Sequence, residues 1–460
     1  MKRWVSILCV TATLVALLAV GVGAQGVEST QAPGLWSSSI NIQNVGAGPA
    51  TVVIKFYNAA GTEALSYTVT PAIGVNGSRS LYVPSDIPGL SSGQYAVVVS
   101  SDEMVQVVAN AASTSPYTAG AYNGIASSEI GKTIYFPGLY KNYYSYYSEV
   151  VLQNTESAIA SVTLKFYNQK TGAQVGGDMA ATIPGYASRV FALGSMAGLP
   201  SGNADGLYSL QVTSSTNLAG VANIWAATFR GIFSDYNGYV SGATTVYAPA
   251  LYKMYYNYVS ALTVQNVDAL PADVRVTYSN GTTESVTLQP RTAKEYYQPA
   301  NAALPSGNAA GVFSAKVECT NGQKIVALVN IQQNTKGLLA SYNGPATATN
   351  SVNAPVVLKA FYGWYSAVTV QNVGTLPTDI TITYAAAGSP TRTFPGVIAN
   401  GTVNIIQLAS AGDPLPDGSS VSAVVSSSGQ PIVAVVQEDS ITSYAAHPGD
   451  YLLAYTGNAR

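Results

Sequence analysis

The side chains best suited to chemistry are scarce in this chain, and the scarcest is its single histidine. His447 lies in Ala445-Ala446-His447-Pro448-Gly449 near the C-terminus. A serine or cysteine triad would have to use this residue as its base, and no cysteine or second histidine lies nearby to complete a zinc site. We therefore interpret His447 as a solvated loop residue. The sequence predicts no catalytic residue, no metal site and no cofactor, so we expect a protein that is not an enzyme.

Neighbouring acids do not change that expectation. Asp102-Glu103 and Glu438-Asp439 fall in turns or near strand ends, and adjacent strand residues point to opposite faces of a sheet. Such pairs are therefore poor acid–base couples. Asp413 and Asp417 could offer two carboxylates to calcium, but calcium takes six or more oxygen ligands, and a solvated turn is the preferred interpretation.

A lysine and an asparagine recur at a fixed spacing in three places. The lysine precedes the asparagine by 13 residues each time, at Lys141 and Asn154, Lys253 and Asn266, and Lys359 and Asn372. The pair suggests an isopeptide bond, but that reaction also needs a buried carboxylate, and no acid aligns across the copies. We predict instead that the asparagine hydrogen-bonds its own turn.

Three aromatic blocks are the most conspicuous candidates for binding. Their members are Tyr143, Tyr144, Tyr146 and Tyr147; Tyr255, Tyr256 and Tyr258; and Phe361, Tyr362, Trp364 and Tyr365. One interpretation packs them at domain junctions or subunit contacts, where amphipathic rings bury area while their hydroxyls find partners. The other makes them platforms for a sugar or a protein, because aromatic residues are enriched at binding surfaces. We favour packing and keep both open.

The elements that position these residues belong to an internal repeat. A Gln-Asn pair ends a strand-like run at Gln43-Asn44, Gln153-Asn154, Gln265-Asn266 and Gln371-Asn372, and the asparagines are 110, 112 and 106 residues apart. A second run follows each pair, with alternating apolar residues that are typical of half-buried strands. Four tandem copies are therefore predicted.

The third copy gives the clearest count of elements. Seven strands are predicted there, near Thr245 to Leu251, Ser260 to Gln265, Asp273 to Tyr278, Thr283 to Leu288, Ala293 to Tyr297, Phe313 to Cys319 and Lys324 to Ile331. Seven short strands at this spacing are typical of an immunoglobulin-like β-sandwich. The predicted fold class is all-β, with four tandem, independent sandwich domains: residues 25–128, 129–242, 243–348 and 349–460, after a cleaved signal peptide at 1–24.

The two terminal copies differ from the middle ones. Copies one to three close with Tyr122-Asn123-Gly124, Tyr236-Asn237-Gly238 and Tyr342-Asn343-Gly344, and copy four aligns Tyr444-Ala445-Ala446 there. Copy one lacks the lysine and most of the aromatic block. We hypothesise that the tail containing Tyr451, Leu452, Leu453 and Tyr455 adds a strand to the first copy of a neighbouring chain, which would link subunits head to tail.

A family resemblance rests on three features: the Gln-Asn-Val-Gly turn, the Lys-Phe-Tyr strand that follows it, and the corner Asp205-Gly206-Leu207-Tyr208. Together they resemble tandem immunoglobulin-like domains of bacterial cell-surface and S-layer-type proteins. The resemblance covers nearly all of the chain after the signal peptide. It implies a surface location and assembly, without a specific ligand.

Composition restricts the possible partners. Charged residues are 9% of the chain, against about 25% in ordinary soluble proteins. Removal of Lys2 and Arg3 with the signal peptide leaves 18 basic against 22 acidic residues. A surface without a basic field does not attract nucleic acid or anionic lipid.

The N-terminus predicts export. Lys2 and Arg3 precede an apolar run from Trp4 to Val20 and a small-residue site at Val22-Gly23-Ala24, so the mature chain is expected to begin at Gln25. No second run is long enough for a transmembrane helix. Cys319, the one mature cysteine, alternates in phase with apolar neighbours and is predicted to be a buried thiol.

These observations predict a secreted, extracellular or cell-surface structural protein. It would be the subunit of a surface layer, filament or matrix, and its partners would be copies of itself or components of the cell envelope. The alternative is an adhesin or carbohydrate-binding protein that uses the tyrosine-rich blocks for glycans.

Overall fold

Strands dominate the described residues, and turns and irregular segments connect them. The computed structural model describes residues 6–10, 34–115, 117–226, 231–333, 335–408, 412–440 and 449–459. Within these ranges the helices are three single turns, at Val83–Asp86, Leu193–Ser195 and Gln298–Ala300. None of them has the length and hydropathy to cross a membrane. The predicted all-β class is confirmed.

The strands repeat in four sets. Repeat 1 holds β1 (Ser6–Val10), β2 (Trp36–Asn44), β3 (Val52–Tyr57), β4 (Glu63–Thr68), β5 (Ser78–Tyr82), β6 (Ala96–Ser101), β7 (Val105–Thr114) and β8 (Tyr117–Asn123). Repeat 2 holds β9 (Gly131–Tyr143), β10 (Tyr146–Asn154), β11 (Ala160–Asn168), β12 (Gln174–Ile183), β13 (Ser188–Ala192), β14 (Leu207–Ala226) and β15 (Ile232–Asn237). The other strands of repeat 1 lie in the predicted domain 25–128, but β1 lies within the predicted signal peptide.

The second half of the chain repeats the pattern. Repeat 3 holds β16 (Thr245–Tyr255), β17 (Tyr258–Asn266), β18 (Ala272–Tyr278), β19 (Thr283–Leu288), β20 (Ala293–Tyr297), β21 (Val312–Cys319), β22 (Ile325–Gln333) and β23 (Leu338–Asn343). Repeat 4 holds β24 (Ser351–Lys359), β25 (Trp364–Asn372), β26 (Thr378–Tyr384), β27 (Thr391–Val397), β28 (Thr402–Ile406), β29 (Ser419–Ser427), β30 (Ile432–Ser440), β31 (Leu452–Thr456) and β32 (Asn458–Ala459).

Two antiparallel sheets enclose the core of each repeat in a sandwich-like arrangement. In repeat 3 the outer sheet has the order β19-β18-β21-β16 and the inner sheet the order β20-β17-β22-β23. Outer strands alternate between buried and accessible residues, as in β18, because one face of the sheet meets the core and the other meets solvent. In repeat 2 the long strand β14 belongs to both sheets.

The prediction for repeat 3 missed one strand. All seven predicted strands are present with small shifts at their ends, and β23 is an eighth. Its residues Leu338 to Ser341 are all buried. Since both faces of β23 are covered, its sequence has no period-two alternation to reveal a strand.

The last strands of the four repeats meet around one axis. β8 contacts β15, β15 contacts β23, β23 contacts β31, and β31 contacts β8. We call these four the ring strands. Their equivalent ends lie together: the Asn237 side chain donates to the Asn123 carbonyl at 2.8 Å, and the Asn343 side chain donates to the Asn237 carbonyl at 2.7 Å. The Thr456 hydroxyl continues the series by donating to the Asn343 carbonyl at 2.7 Å. The chain is therefore a closed ring of four repeats.

Each core is completed by the next repeat around the ring, so the expectation of independent domains is wrong. The contributing residues occupy equivalent positions on the neighbour: Ala219 and Val221 in core 1, Leu328 and Leu339 in core 2, Val435, Leu452 and Ala454 in core 3, and Val108, Ala119 and Ala121 in core 4. Burial of these side chains requires the neighbouring repeat.

A recurring hydrogen bond joins the outer parts of neighbouring repeats. Ser209 donates to the Arg291 carbonyl at 2.9 Å, and Ser314 donates to the Asn400 carbonyl at 2.6 Å. Ser422 donates to the Asn76 carbonyl at 2.8 Å, which joins the last repeat to the first.

The C-terminal segment is a ring strand of its own repeat, and the proposed transfer to a neighbouring chain is wrong for this structure. Leu452 and Leu453 lie in β31, which pairs with β30, and the buried Tyr455 pairs with Val436. The position equivalent to Tyr122-Asn123-Gly124 is therefore Tyr455-Thr456-Gly457. The segment first aligned there, at 444–446, lies outside the described residues, as does His447.

Repeat 1 differs from the others at its outer sheet. β1, which lies within the predicted signal peptide, pairs with β6 in the position that β9, β16 and β24 take in the other repeats. The rest of residues 1–24 lies outside the described residues.

Because the cores are shared, a cut between repeats is not expected to separate them. We predict that a chain with a protease site inserted at the exposed Ala346-Thr347, once cleaved, elutes from a gel-filtration column as one particle of native size. A denaturing gel of the same sample supplies the control, since it must show two fragments. Separate elution of the fragments would contradict the shared cores.

Candidate functional site

The recurrent asparagine is structural, as predicted. In all four repeats its side-chain oxygen accepts the backbone N–H two residues later, and its amide donates to the carbonyl four residues later. For Asn372 these two distances are 2.9 and 2.8 Å. The asparagine therefore fixes the turn that follows the Gln-Asn strand.

The recurrent lysine also has a structural task. Lys141 donates to the carbonyls of Met196 and Leu199 at 2.7 and 2.8 Å, and Lys253 donates to the carbonyls of Asn301 and Leu304. Each lysine satisfies backbone acceptors that end a short helical turn. The lysine and the asparagine thus bind different parts of the repeat.

The aromatic blocks lie on the hairpins that join the outer and inner sheets, between β9 and β10, β16 and β17, and β24 and β25. Their two central residues are Tyr144-Ser145, Tyr256-Asn257 and Tyr362-Gly363, and all six have a positive φ. This backbone is that of a type I′ turn, which favours glycine and asparagine. A tyrosine at the first position is costly, yet all three blocks carry one there.

These three tyrosines are the exposed members of their blocks. Tyr144, Tyr256 and Tyr362 keep 64%, 59% and 86% of their surface accessible. Each ring stands edge-to-face on the preceding aromatic residue at 4.8 to 4.9 Å. The Asn203 side chain accepts the N–H of Tyr144 at 2.6 Å, and Asn308 does the same for Tyr256 at 2.7 Å.

The other block residues pack at junctions or cavities. Tyr143 and Tyr146 lie against Tyr140, and Tyr147 stacks on Trp225 at 4.9 Å. In repeat 3, Tyr255 and Tyr258 flank Tyr252 in the same way. In repeat 4, Phe361 supports Tyr362, Trp364 contacts Tyr451, and Tyr365 lines a cavity.

Polar contacts tie these rings to the next repeat. Asn330 of repeat 3 donates to the Tyr140 hydroxyl at 2.8 Å. Tyr258 donates to Asp439 of repeat 4 at 2.8 Å, and Tyr252 donates to Gln437 of the same strand. The two interpretations of the blocks thus apply to different residues: most rings pack, and one ring of each block stays exposed.

The three hairpins end at the same end of the ring, which we call the aromatic face. In each repeat the strand that follows the hairpin pairs with the next strand of the inner sheet. That next strand ends beside the hairpin, and the ring strand begins at the same end. Since the ring strands run parallel about the axis, with Thr118 beside Asp450, equivalent hairpins lie on one face.

A cavity of about 420 Å³ opens beside the first hairpin, between repeats 2 and 3. Its volume is within the range of small-molecule sites. It is lined by one aromatic ring, Tyr143, and by hydrogen-bonding side chains: Gln169, Lys170, Thr171, Thr287, Gln289, Thr292, Lys294 and Glu295. The Gln169 amide is held by two carbonyls, and its oxygen has no hydrogen-bond partner among the described residues.

The equivalent junction between repeats 3 and 4 has a smaller cavity of about 140 Å³. Tyr255 takes the place of Tyr143. Asn404 takes the place of Glu295, because Glu295 pairs with Thr263 and Asn404 pairs with the equivalent Thr369 of the neighbouring strand. Four tyrosines surround this cavity: Tyr252, Tyr255, Tyr258 and Tyr365.

An acid borders each cavity, and burial makes both acids weaker. Desolvation raises the pKa of Glu295 above its usual value, although a hydrogen bond with the Tyr140 hydroxyl opposes the shift. Desolvation also raises the pKa of Asp439, against the hydrogen bond from Tyr258.

Three further acids are fully buried, and of these only Glu438 was considered from the sequence, as a member of an acidic pair. Desolvation raises the pKa of Asp235 and of Glu438 to about 8. It raises the pKa of Asp450 well above its usual value. Glu438 and Asp439 are neighbours on β30, and Glu438 is buried on the core-facing side of repeat 4 while Asp439 reaches Tyr258 of repeat 3, as expected of adjacent strand residues.

The remaining candidates are structural. Cys319 is a buried free thiol, which confirms its prediction. Asp413 is buried, accepts the Tyr384 hydroxyl at 2.5 Å and lies 3.6 Å from Lys359, so it is not the solvated turn residue that was predicted. Among the described residues no three or more His, Cys, Asp or Glu side chains gather as metal ligands.

Comparisons with known proteins find only weak similarity. No protein-family model matches the chain, and no curated protein matches it. Among solved structures, "Thermotoga maritima 1070" is 16% identical over 24% of this chain and 93% of its own, with a TM-score of 0.20. The Anabaena sensory rhodopsin transducer is 19% identical over 20% of this chain and 95% of its own, with a TM-score of 0.17.

A third structure aligns along most of the chain. It is the Bacteroides ovatus mixed-linkage glucan utilization locus SGBP-B in complex with a mixed-linkage heptasaccharide, 10% identical over 85% of this chain and 92% of its own, with a TM-score of 0.13. Similarities at this level carry no information on ligand or activity.

Proposed function

We propose that the protein is a non-catalytic binding protein whose aromatic face binds neutral carbohydrate. One observation carries the proposal: three repeats hold a tyrosine at the same strained turn position with its ring exposed. Backbone strain that recurs at equivalent sites supports the hypothesis that those sites have a function, because a glycine or an asparagine would form the same turn at a lower energetic cost. A buried or purely structural role does not need an exposed ring.

The chemistry of the face fits a sugar. A sugar ring has an apolar face that stacks on tyrosine and hydroxyls that need hydrogen-bond partners. The cavity beside Tyr143 is lined by the polar residues Thr287, Thr292 and Glu295, whose oxygens are suited to sugar hydroxyls. Charged residues are too few to favour a strongly charged ligand.

The arrangement also favours a polymer over a single sugar. Three exposed tyrosines on one face can engage successive parts of one chain, and each engagement raises the effective concentration for the next. We therefore expect weak binding at each tyrosine and stronger binding overall.

The test replaces the three exposed tyrosines with asparagine, which adopts a positive φ more readily. Tyr144→Asn, Tyr256→Asn and Tyr362→Asn should each weaken binding to cellulose, chitin, xylan or mannan by about threefold to tenfold, as expected for loss of a tyrosine contact. The triple variant should lose nearly all of it. Thermal unfolding of the same variants should show unchanged or slightly higher stability.

Leu270→Asn, at the opposite end of repeat 3, is the matched control and should bind as the native chain does. The proposal fails if the native chain binds none of these polysaccharides, or if the triple variant binds them equally well. A large loss of stability in the asparagine variants would instead assign the tyrosines to packing.

The immunoglobulin-like assignment, secretion and the role of a self-assembling surface subunit remain predictions. The proposed head-to-tail link has lost its basis, because the C-terminal strand pairs within repeat 4. Sedimentation velocity of the whole chain tests self-assembly directly: a concentration-independent monomer would exclude it.

A further inference from the structure

The small cavity between repeats 3 and 4 differs in chemistry from the larger one between repeats 2 and 3. The larger cavity is lined by two cations, Lys170 and Lys294. The small cavity is lined by its four tyrosines, by Asp439 and by aliphatic side chains such as Ile406 and Leu452, and the described residues around it include neither lysine nor arginine. The two cavities therefore suit ligands of different charge.

Hydrogen bonds across the junction fix the tyrosines of the small cavity. Tyr258 of repeat 3 donates to the Asp439 carboxylate of repeat 4 at 2.8 Å, and Tyr252 donates to Gln437. The rings of Tyr255 and Tyr258 lie 5.9 and 6.0 Å from that of Tyr252. Because both hydroxyl protons are used inside the protein, Tyr252 and Tyr258 present no hydrogen-bond donor to a ligand.

The charge at this junction is negative. Burial raises the pKa of Asp439, but the hydrogen bond from Tyr258 and the charge of Lys336 favour its ionised form. Lys336 does not line the cavity. The Asp439 charge in turn raises the pKa of the buried Asp450. A cation in the cavity would interact favourably with the Asp439 carboxylate.

The carboxylate and one of the rings belong to a cross-strand pair that differs between repeats. Asp439 pairs with Tyr365 in repeat 4. The equivalent pair in repeat 3, which faces repeat 2, is Gln332 with Val259. The acid and the aromatic ring are thus absent together from that position of repeat 3, as expected of two groups that contact one ligand.

Size and hydrogen bonding restrict the cation. The cavity has a volume of about 140 Å³, and a cavity of about 150 Å³ is large enough to hold benzene. A primary ammonium brings three N–H donors that need acceptors, which an aromatic and aliphatic wall supplies poorly. A quaternary ammonium has no N–H group, and the faces of aromatic rings attract it.

We propose that this cavity, which we call the tyrosine cage, binds a small quaternary ammonium group. The cation lies among the four tyrosines and beside the Asp439 carboxylate. The inference is independent of the carbohydrate proposal, which rests on the exposed tyrosines at the tips of the hairpins.

Calorimetric titration of the native chain with choline, tetramethylammonium and 3,3-dimethylbutan-1-ol tests the proposal. The last compound has the shape of choline with carbon in place of the charged nitrogen. Choline and tetramethylammonium should bind, and the uncharged alcohol should bind at least about tenfold more weakly than choline, because it lacks the charge that the rings and Asp439 attract.

Two variants assign the binding to the tyrosine cage. Asp439→Gln combined with Tyr365→Val gives repeat 4 the pair that repeat 3 already contains, and it should weaken choline binding about tenfold or more. Tyr365→Val alone should weaken it about threefold to tenfold. The matched control is Asp417→Asn, which removes a 72% exposed carboxylate of the same repeat and should bind choline as the native chain does.

Gel filtration first establishes that the variants keep the native size. The proposal is overturned if choline does not bind, or if the uncharged alcohol binds equally well, since the cavity would then be a plain apolar site. Equal choline binding by the double variant also overturns it. If the double variant loses its native size, Tyr365→Val decides, and equal binding by that variant overturns the proposal.

Discussion

Replacing Asp450 with alanine is expected to lower the free energy of unfolding by about 3 kcal/mol or more. The Asp450 carboxyl accepts the N–H groups of Phe233 at 3.1 Å, Leu339 at 2.9 Å and Leu452 at 3.1 Å, and its own N–H donates to the Tyr117 carbonyl at 3.0 Å. One residue thus bonds all four repeats at the ring axis. Alanine would leave three buried donors without an acceptor.

Urea denaturation of the native chain and of Asp450→Ala measures the loss. Asp450→Asn should lie between the two, because its carbonyl oxygen still accepts but its amide nitrogen does not. Asp417→Ala is the control: the Asp417 side chain is 72% exposed, and its removal should change little. Equal stability of the native chain and Asp450→Ala would mean that the carboxyl does not hold the ring together.

Acidification from pH 8 to pH 5 is expected to stabilise the chain, which is the reverse of ordinary acid denaturation. Desolvation raises the pKa of Glu438 from 4.5 to about 8 in the folded chain. Between these values the folded chain holds a proton that the unfolded chain has released, so the free energy of unfolding falls as pH rises, by about 1.4 kcal/mol per pH unit for such a group. The full contribution is present below about pH 4.5 and is lost by about pH 8. Asp235 acts in the same sense.

Glu438→Gln isolates this effect, because glutamine is neutral at every pH. At pH 8 the variant should be more stable than the native chain, by up to about 4 kcal/mol, and at pH 4.5 the two should be similar. Urea denaturation at several pH values gives both profiles. Glu63→Gln is the control, since Glu63 lies in an exposed ion pair with Lys55 and its loss should leave the native pH profile.

Other acids have lowered pKa values, so strong acidification removes the stability that they contribute. The N–H of Thr51 lowers the pKa of Asp102, and the ion pair with Lys316 lowers that of Glu318. Their contributions are present above their unfolded pKa values and are lost only on strong acidification. A native chain whose stability rises steadily from pH 5 to pH 8 would contradict the assignment of Glu438 and Asp235 as buried neutral acids.

The features that depend on local sequence could be predicted from it. The four copies, the outer strands and the asparagine turns follow from spacing and alternation, because each depends on residues a few positions apart. The outer strand β18 alternates since one face meets solvent, whereas the ring strand β23 does not, since both its faces are covered. Only strands with one solvent-facing side show a period-two alternation in the sequence.

Closure of the ring was decided by the tertiary structure alone. The sequence of β31 is apolar, and such a strand can pair within its repeat or with another chain. Its burial by repeats 1 and 3 depends on distant segments: Thr456 bonds Asn123 and Asn343, which are 333 and 113 residues away in sequence. The same holds for the aromatic blocks, in which residue type is uniform but exposure is not. Tyr146 is covered by the next repeat and Tyr144 is not, because the type I′ turn directs one ring into the junction and the other into solvent. Residue type thus determined the strands and turns, and the packing of one repeat on the next determined which side chains are free to bind.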